Sequence, residues 1–432
     1  MSLTGQRYSV PSSALEEEFA MNHVAHKTVS EKSVVENRRA ALFPTYAPPE
    51  HAFTRGKDCH LYCEEETEGY LDFFAGIAVC SLGHAHPALV EVLQQQAESV
   101  WHVSNALRVP QGEALSQRLA KIAGLDRVFF TNSGTESVEC GLKMMRRYHY
   151  DHGRPERERI IGVNHAFHGR THGGICAAGN PGHTKGFIGK DERFDHVPFN
   201  DLAALKGAVN EKTAGIIMET VQGEGGIYPA DASYLTAVRE LCDEHGILLM
   251  LDEVQCGVGR TGKFFAYEHY GVQPDIVASA KGLGSGFPVG ACIASEAVAK
   301  SMVIGTHGST YGGNPLAMSV ASKVVDIIDD QAFLSHVEKT AELLRTGLQS
   351  LVDQYPQLLK EVRGMGLMLG VECKPADANG KLVGIARKHK LLMTKAGNNT
   401  IRLLPPLVIT EDHVSEALDK LGKSLAEYQA EA

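Results

Sequence analysis

The sequence predicts an α/β fold in which a mostly parallel sheet is covered by helices on both faces and a smaller α+β unit is attached. Three observations predict it. Between Gly69 and Gly370, short apolar runs alternate with amphipathic stretches, the rhythm of strand, helix, strand. Several runs, among them IIGV, AGIIME, ILLMLD and DIVASA, are almost wholly apolar, as strands buried on both faces require. After Asn314 the pattern changes to long amphipathic helices and short terminal strands.

Taken in order, residues 1–42 read as a polar arm and a helix, SEKSVVENRRAAL, that stops at the loop FPTYAPP. Residues 43–80 contain KDCHLYCEEETEGYLDF, whose alternation and Gly69 predict a hairpin carrying Cys59 and Cys63 as small packing residues. The main domain is placed at residues 81–320. There RVFFT is a strand, followed by a glycine turn and a helix from Thr135 with Val138, Leu142 and Met145 at helical spacing. SYLTAVRELCDEHG is a helix with Leu235, Val238 and Leu241 on one stripe and Gly246 as its cap, joining AGIIME to ILLMLD. Residues 321–432 form the smaller domain, with helices through LAMSVASKVVDIID and EKTAELLRTGLQSLVDQY and strands near GLMLGVE and IRLLP; the amino-terminal arm and hairpin complete it.

Composition narrows the function. With 43% hydrophobic and 22% charged residues in 432, the chain can bury a large core and does not read as disordered. A formal charge of −10 and the lack of any basic run of five argue against a nucleic-acid partner. Nine cysteines without a CxxC pair fit reduced thiols in the cytoplasm. The amino terminus has an EEE cluster and no apolar core, so neither a signal nor a transit peptide is expected, and no apolar stretch is long enough to span a membrane.

Chemistry gathers at strand ends, where open α/β sheets bind ligands. Ser133, Gly134 and Thr135 follow RVFFT and open a helix, so free backbone N–H groups and two hydroxyls can face a phosphate. Asp252 and Glu253 end ILLML, Gln255 follows as a neutral donor, and Lys281 ends the next strand with glycines at 282, 284 and 286 around it. Burial disfavours the charge on such a lysine, which suits an amine that must attack an aldehyde. A buried acid and an activated lysine together are what pyridoxal 5'-phosphate (PLP) requires. GLGSGFPVG does not match GxGxxG, no GxxxxGK[ST] or GxSxG occurs, and no HExxH supports a metal site.

The segments FHGRT, ETVQGEGGIYPA, LDEVQCGVGRTGKFFAYEHYGVQPDIVASAKGLGSGFPVGA and GTHGSTYGGNPLA resemble the class III (subgroup II) PLP-dependent aminotransferases. Within these, GIAVCSLGHAHP, NSGTES and DEVQCGVGRTGK are most similar to the acetylornithine aminotransferases, and the resemblance runs from about Phe43 to Leu421. It implies a fold-type I homodimer with a seven-stranded central sheet and active sites at the subunit interface. Lys281 would carry the cofactor as an internal aldimine, Asp252 would pair with the pyridinium nitrogen, Gln255 would contact the ring oxygen and Phe167 would stack on the ring. Ser133, Gly134 and Thr135 would hold the phosphate, Thr310 reaching it from the second subunit, with His168 and Glu219 as further cofactor-side residues. Arg170 would bind a distant substrate carboxylate. Glu224 would cover Arg402 for a terminal-amine donor and swing away when glutamate brings an α-carboxylate.

The implied reaction is ping-pong transfer from an ω-amino donor, N-acetylornithine with 2-oxoglutarate giving N-acetylglutamate 5-semialdehyde and glutamate. Ornithine, 4-aminobutyrate, succinylornithine and diamines remain alternative donors; a 2,1-aminomutase and a non-catalytic PLP-binding regulator are the readings from other classes. Two departures from the resembled pattern stand out. ETVQ replaces the commoner glutamate-proline, and THGGICAAGNPGHTKGF after Arg170 has His172 and paired glycines where apolar residues are usual.

Overall fold

A computed structural model describes residues 41–49, 51–64 and 67–431. The expected helix over residues 30–42 lies outside them, except that Ala41 and Leu42 form an irregular turn. Residues 53–432 are one compact unit and carry everything that follows.

Its first sheet is a hairpin ladder, β1 (Phe53–Lys57), β2 (His60–Cys63) and β3 (Tyr70–Asp72), all antiparallel. Cys59 and Cys63 are buried there, and neither is in a disulfide. The fourth strand comes from the far end of the chain, so the amino-terminal hairpin is completed by carboxyl-terminal residues: Leu391 pairs with Leu71 in parallel.

The central sheet has seven strands: β4 (Arg127–Thr131), β5 (Arg159–Val163), β6 (Phe194–Val197), β7 (Thr213–Glu219), β10 (Leu248–Asp252), β11 (Ile276–Ser279) and β12 (Gly290–Ala294). The intervening β8 (Val221–Gln222) and β9 (Tyr228–Pro229) form a separate small hairpin. Strand order is β4-β12-β11-β10-β7-β5-β6, and β12 alone runs antiparallel to its neighbours. Every residue of β7, β10, β11 and β12 is buried, which explains their unbroken apolar character. The helix Gly134–Asp151 buries Val138, Leu142 and Met145 against this sheet. It lies so close that a Cβ on Gly141 would sit 2.5 Å from the Met250 thioether. On Ala232–His245 the buried stripe is Leu235, Val238 and Leu241, and Gly246 ends the helix in the left-handed region at φ 58°.

Beyond the sheet, the helix Pro315–Ile328 packs on Pro87–Ala97 and Pro110–Ala123, and the expected boundary at Ala321 falls inside it. Gln331–Gln354 then leads to a four-stranded sheet of β13 (Leu359–Met365), β14 (Met368–Cys373), β16 (Thr394–Ala396) and β17 (Thr400–Leu403), with β15 (Leu391–Leu392) diverted to the first sheet. A single apolar cluster joins Leu249 and Leu251 of the central sheet to Leu344, Leu382 and Leu425 of these later elements. Among the described residues no helix is long and apolar enough to cross a membrane.

Candidate active site

Five parallel strands deliver their carboxyl ends to one place. Ser133 follows β4, Phe167 and His168 follow β5, Glu219 ends β7, Asp252 ends β10 and Lys281 follows β11. They surround a cavity of about 280 Å³, also lined by Gly134, Thr135, Arg170 and Gln255. Register explains part of the convergence: Asp252 pairs directly with Glu219 on one side and with Ala278 on the other.

Lys281 begins a short 3₁₀ turn, Lys281–Leu283, with its backbone at φ 44°, a region that side chains disfavour. Turn hydrogen bonds hold it there, from Leu283 N to the Ala280 carbonyl at 2.9 Å and from Gly284 N to its own carbonyl at 3.0 Å. Gly284 is required by close approach, because a Cβ would fall 1.9 Å from the Phe287 carbonyl oxygen. Burial, reinforced by the Arg402 charge, lowers the Lys281 amine from 10.5 to about 8 against the opposing pull of Glu224, Asp252 and Glu219. An appreciable fraction of this amine is therefore neutral at mildly alkaline pH.

Asp252 and His168 form a buried pair, Oδ2 to Nδ1 at 2.7 Å. Asp252 Oδ1 also accepts from Val254 N at 3.0 Å. Burial opposes charge on the His168 ring, but the hydrogen bond to Asp252 and the charges of Asp252 and Glu219 together outweigh it and raise the imidazole above its ordinary value. Glu219 is the third buried member, and its oxygens accept from Phe167 N and Gly223 N, each at 3.1 Å. Burial lifts its carboxyl to about 7, with His168 opposing and Asp252 adding to the rise.

At the opposite wall, the Ser133 side chain caps the helix that starts at Gly134 by accepting from Glu136 N, and Gly134 and Thr135 of its first turn line the cavity. Gly134 and Gly169 make room here. A Cβ on Gly134 would meet Val254 at 2.6 Å, and one on Gly169, at φ 100°, would meet Thr135 Oγ1 at 2.2 Å. Thr135 Oγ1 lies 3.1 Å from Thr171 Oγ1. The exposed Arg170 guanidinium stands 5.6 Å from the Phe167 ring centroid, and no carboxylate pairs with it among the described residues.

Arg402, on β17, reaches the cavity from the later sheet and is only 1% exposed. Its guanidinium donates to Gln255 Oε1 at 3.0 Å and pairs with Glu224 at 2.8 Å. Glu224 sits at the tip of the β8–β9 hairpin, with its carbonyl fixed by Gly397 N at 2.7 Å. Its side chain remains about a third exposed. Because Gln255 spends its oxygen on Arg402, its NH₂ is the end left to donate.

Of the residues expected from sequence, Lys281, Asp252, Gln255, Phe167, His168, Glu219, Ser133, Gly134, Thr135 and Arg170 share one cavity, and Arg402 and Glu224 adjoin it through Gln255. Thr310 does not line it and is exposed. Val138, expected only as a packing residue, lines it too, as do Val254 and Gly169, which were not expected there, although the glycine of FHGR was a signal for the close approach to Thr135.

PLP needs an amine, an acid for a ring nitrogen, a flat apolar wall and an anion cradle, and this cavity offers Lys281, Asp252, Phe167 and the helix start at Ser133, Gly134 and Thr135. Fold and site thus define a PLP-dependent enzyme on an α/β scaffold. The aminotransferase class-III family pattern matches residues 44–425, and the chain belongs to that family of PLP-dependent transaminases. An acetylornithine aminotransferase of Agrobacterium fabrum is 51% identical over 391 residues, covering 90% of this chain and 97% of the relative. One from Brucella melitensis is 50% identical, over 87% and 93%. Among solved structures, an ornithine aminotransferase from Toxoplasma gondii superposes with a TM-score of 0.89 at 28% identity, covering 98% of this chain and all of that one. A second structure of that enzyme is described with partial occupancy of PLP at its active site. An N-acetylornithine aminotransferase from Stenotrophomonas maltophilia gives 0.79 at 35%, over 89% and 98%.

Proposed function

We propose that this aminotransferase moves the terminal amino group of N-acetylornithine to 2-oxoglutarate, forming N-acetylglutamate 5-semialdehyde and glutamate by ping-pong exchange. The observation that carries the reading is the buried Arg402 held by Glu224 and Gln255 beside Lys281. An ω-amine donor has no carboxylate on the reacting carbon, and an uncovered guanidinium there would be left desolvated and unpaired. Glu224 neutralises it. When glutamate or 2-oxoglutarate binds, the α-carboxylate takes the place of Glu224, whose partly exposed side chain can turn to solvent. The relatives named as acetylornithine aminotransferases, at half identity over nearly their whole length, favour the acetylated donor.

PLP, when bound, acts as an electron sink that weakens the C–H bond at the amine-bearing carbon. The chain's residues supply the rest. Lys281 would hold the cofactor and, once released, would carry the proton on Nζ. Asp252, kept in place by His168, would serve the ring nitrogen, and Gln255 with its free NH₂ the ring oxygen. Phe167 would supply the apolar wall for the ring, and Ser133, Gly134 and Thr135 would hold the phosphate. Arg170 receives the distal carboxylate of the donor.

The assembly we propose is a homodimer in which Thr310 completes the phosphate site of the neighbouring subunit. Its segment is bound to the chain by Asn105, which donates to the carbonyls of Ser309 and Gly312 at 2.8 and 3.1 Å. Trp101, Leu107, Ile304 and Tyr311 are exposed apolar side chains in the same two segments, a composition that favours burial against a second copy. Nine cysteines, none in a disulfide and eight of them buried, favour a cytoplasmic setting.

The test mixes the yellow PLP-loaded protein with single amines and follows loss of its visible absorbance. N-acetylornithine should bleach it at lower concentration than ornithine or 4-aminobutyrate, and glutamate should bleach it too. Bleaching by alanine but by none of the ω-amines overturns the reading.

A further inference from the structure

Glu219 has no assigned part in the reaction beyond bordering the cavity, yet its two oxygens grip two different pieces of the site. One accepts from the backbone N–H of Phe167, in the wall over the cavity, and the other from the N–H of Gly223, next to the gate residue Glu224. The same two segments meet again nearby. Gln222 Nε2 donates to the Asn164 carbonyl at 2.8 Å, and a Cβ on Gly225 would lie 2.7 Å from the His165 carbonyl oxygen. Gly223 is held from a third side, since a Cβ there would lie 2.4 Å from the Gln255 amide. The gate hairpin is thus seated on the 164–167 turn, with a carboxylate as the central fastening.

We infer that Glu219 is a positioning residue that sets the donor selectivity of the enzyme, by fastening the Glu224 gate to the Phe167 wall so that Glu224 rests on Arg402. This inference rests on the gate reading of Glu224 proposed above. Only an ionised carboxylate can accept at both oxygens without a proton of its own in the way; a protonated acid or a glutamine presents one acceptor and one donor, and one of the two N–H groups then faces a donor. Loosening the fastening lowers the fraction of time that Glu224 covers Arg402. The ω-amine half-reaction, which needs the cover, suffers; the glutamate half-reaction, which needs it removed, does not.

The carboxyl titrates near the middle of the accessible pH range, and the titratable groups facing it are His168, Asp252, Lys281 and the Cys256 thiol, which burial keeps neutral. As pH rises through about 7 the carboxyl ionises, both N–H groups are accepted and selectivity for the ω-amine rises. Lys281 and the cofactor act in both half-reactions, so their titration cancels in the ratio of the two rates.

The experiment measures single-turnover kcat/KM for N-acetylornithine and for glutamate with PLP-loaded protein between about pH 6 and about pH 8.5, and takes their ratio. In the native enzyme the ratio should climb through about pH 7. Glu219→Gln should lower it about tenfold at the alkaline end and leave it independent of pH, while Glu219→Asp, which keeps two acceptors, should recover part of the slope. A flat ratio in the native enzyme overturns the inference even if no variant folds, as does an unchanged ratio in PLP-loaded Glu219→Gln. Glu224→Ala separates the two ideas. If it leaves the ratio unaltered, the gate reading fails; if it lowers the ratio and Glu219→Gln does not, only the role of Glu219 fails.

Discussion

The carboxylate of Asp252 lies 2.7 Å from Nδ1 of His168, with both side chains shut away from water. The hydrogen bond fixes the orientation of the carboxylate that would face a ring nitrogen. Asp252→Asn removes the charge, and kcat for N-acetylornithine should fall by at least about a hundredfold, near 3 kcal/mol at the transition state. His168→Asn should give a smaller loss together with a shifted pH profile, measured as kcat against pH in the PLP-loaded protein.

For Lys281, a lowered amine gives a pH dependence of known sign. The neutral form is the nucleophile, and its fraction rises as pH passes through about 8, where a surface lysine would still be almost wholly charged. The rate at which cofactor-free protein captures PLP, followed by visible absorbance, should therefore level off a little above pH 8. Lys281→Ala should capture none covalently, so borohydride should fix no label.

Replacement of Arg402 separates the two half-reactions. On the proposed gate, Arg402→Ala takes away the group that would receive the glutamate α-carboxylate, and kcat/KM for glutamate should drop about a hundredfold, as expected for loss of two charge-assisted hydrogen bonds. The N-acetylornithine half-reaction should fall much less. Comparable losses in both would show that Arg402 serves structure alone.

Glu253 provides a stability prediction. It is buried, accepts from Thr220 Oγ1 at 2.5 Å, Ala266 N at 2.7 Å and Tyr267 N at 3.3 Å, and burial raises it to about 7. A carboxyl raised on folding contributes stability that is full below its unfolded value and is lost as pH rises through its folded value. Glu253→Gln presents one acceptor and one donor as the protonated acid does, so near pH 5 its stability should be close to that of the native protein. Between about pH 5 and pH 8 the native protein should lose roughly 2–3 kcal/mol relative to the variant, because only it loses the acid contribution. Thermal unfolding of both proteins across that range checks it, and the difference cancels every other titrating group.

Much of this site was legible in the sequence because its residues sit one to three places beyond strands whose apolar runs are unmistakable: Ser133 after RVFFT, Asp252 at the end of ILLMLD, Lys281 after DIVASA. Partnerships were less legible. His168 meets Asp252 only because β5 and β10 both flank β7, and strand order is written in no local pattern. Thr220, read as a departure from the usual proline, proves to be a hydrogen-bond donor to Glu253, a role that requires the fold to be seen. Thr310 stays apart from the others in the single chain, and its place at a neighbour's phosphate site rests on the homodimer proposed above.

The backbone of Glu224 is fastened on three sides, through its own carbonyl to Gly397, through Gly223 to Glu219 and through Gln222 to Asn164. On the proposed gate, changing substrate class therefore requires only that the Glu224 side chain, about a third exposed, rotate away from Arg402, with no loop to lift and reseat.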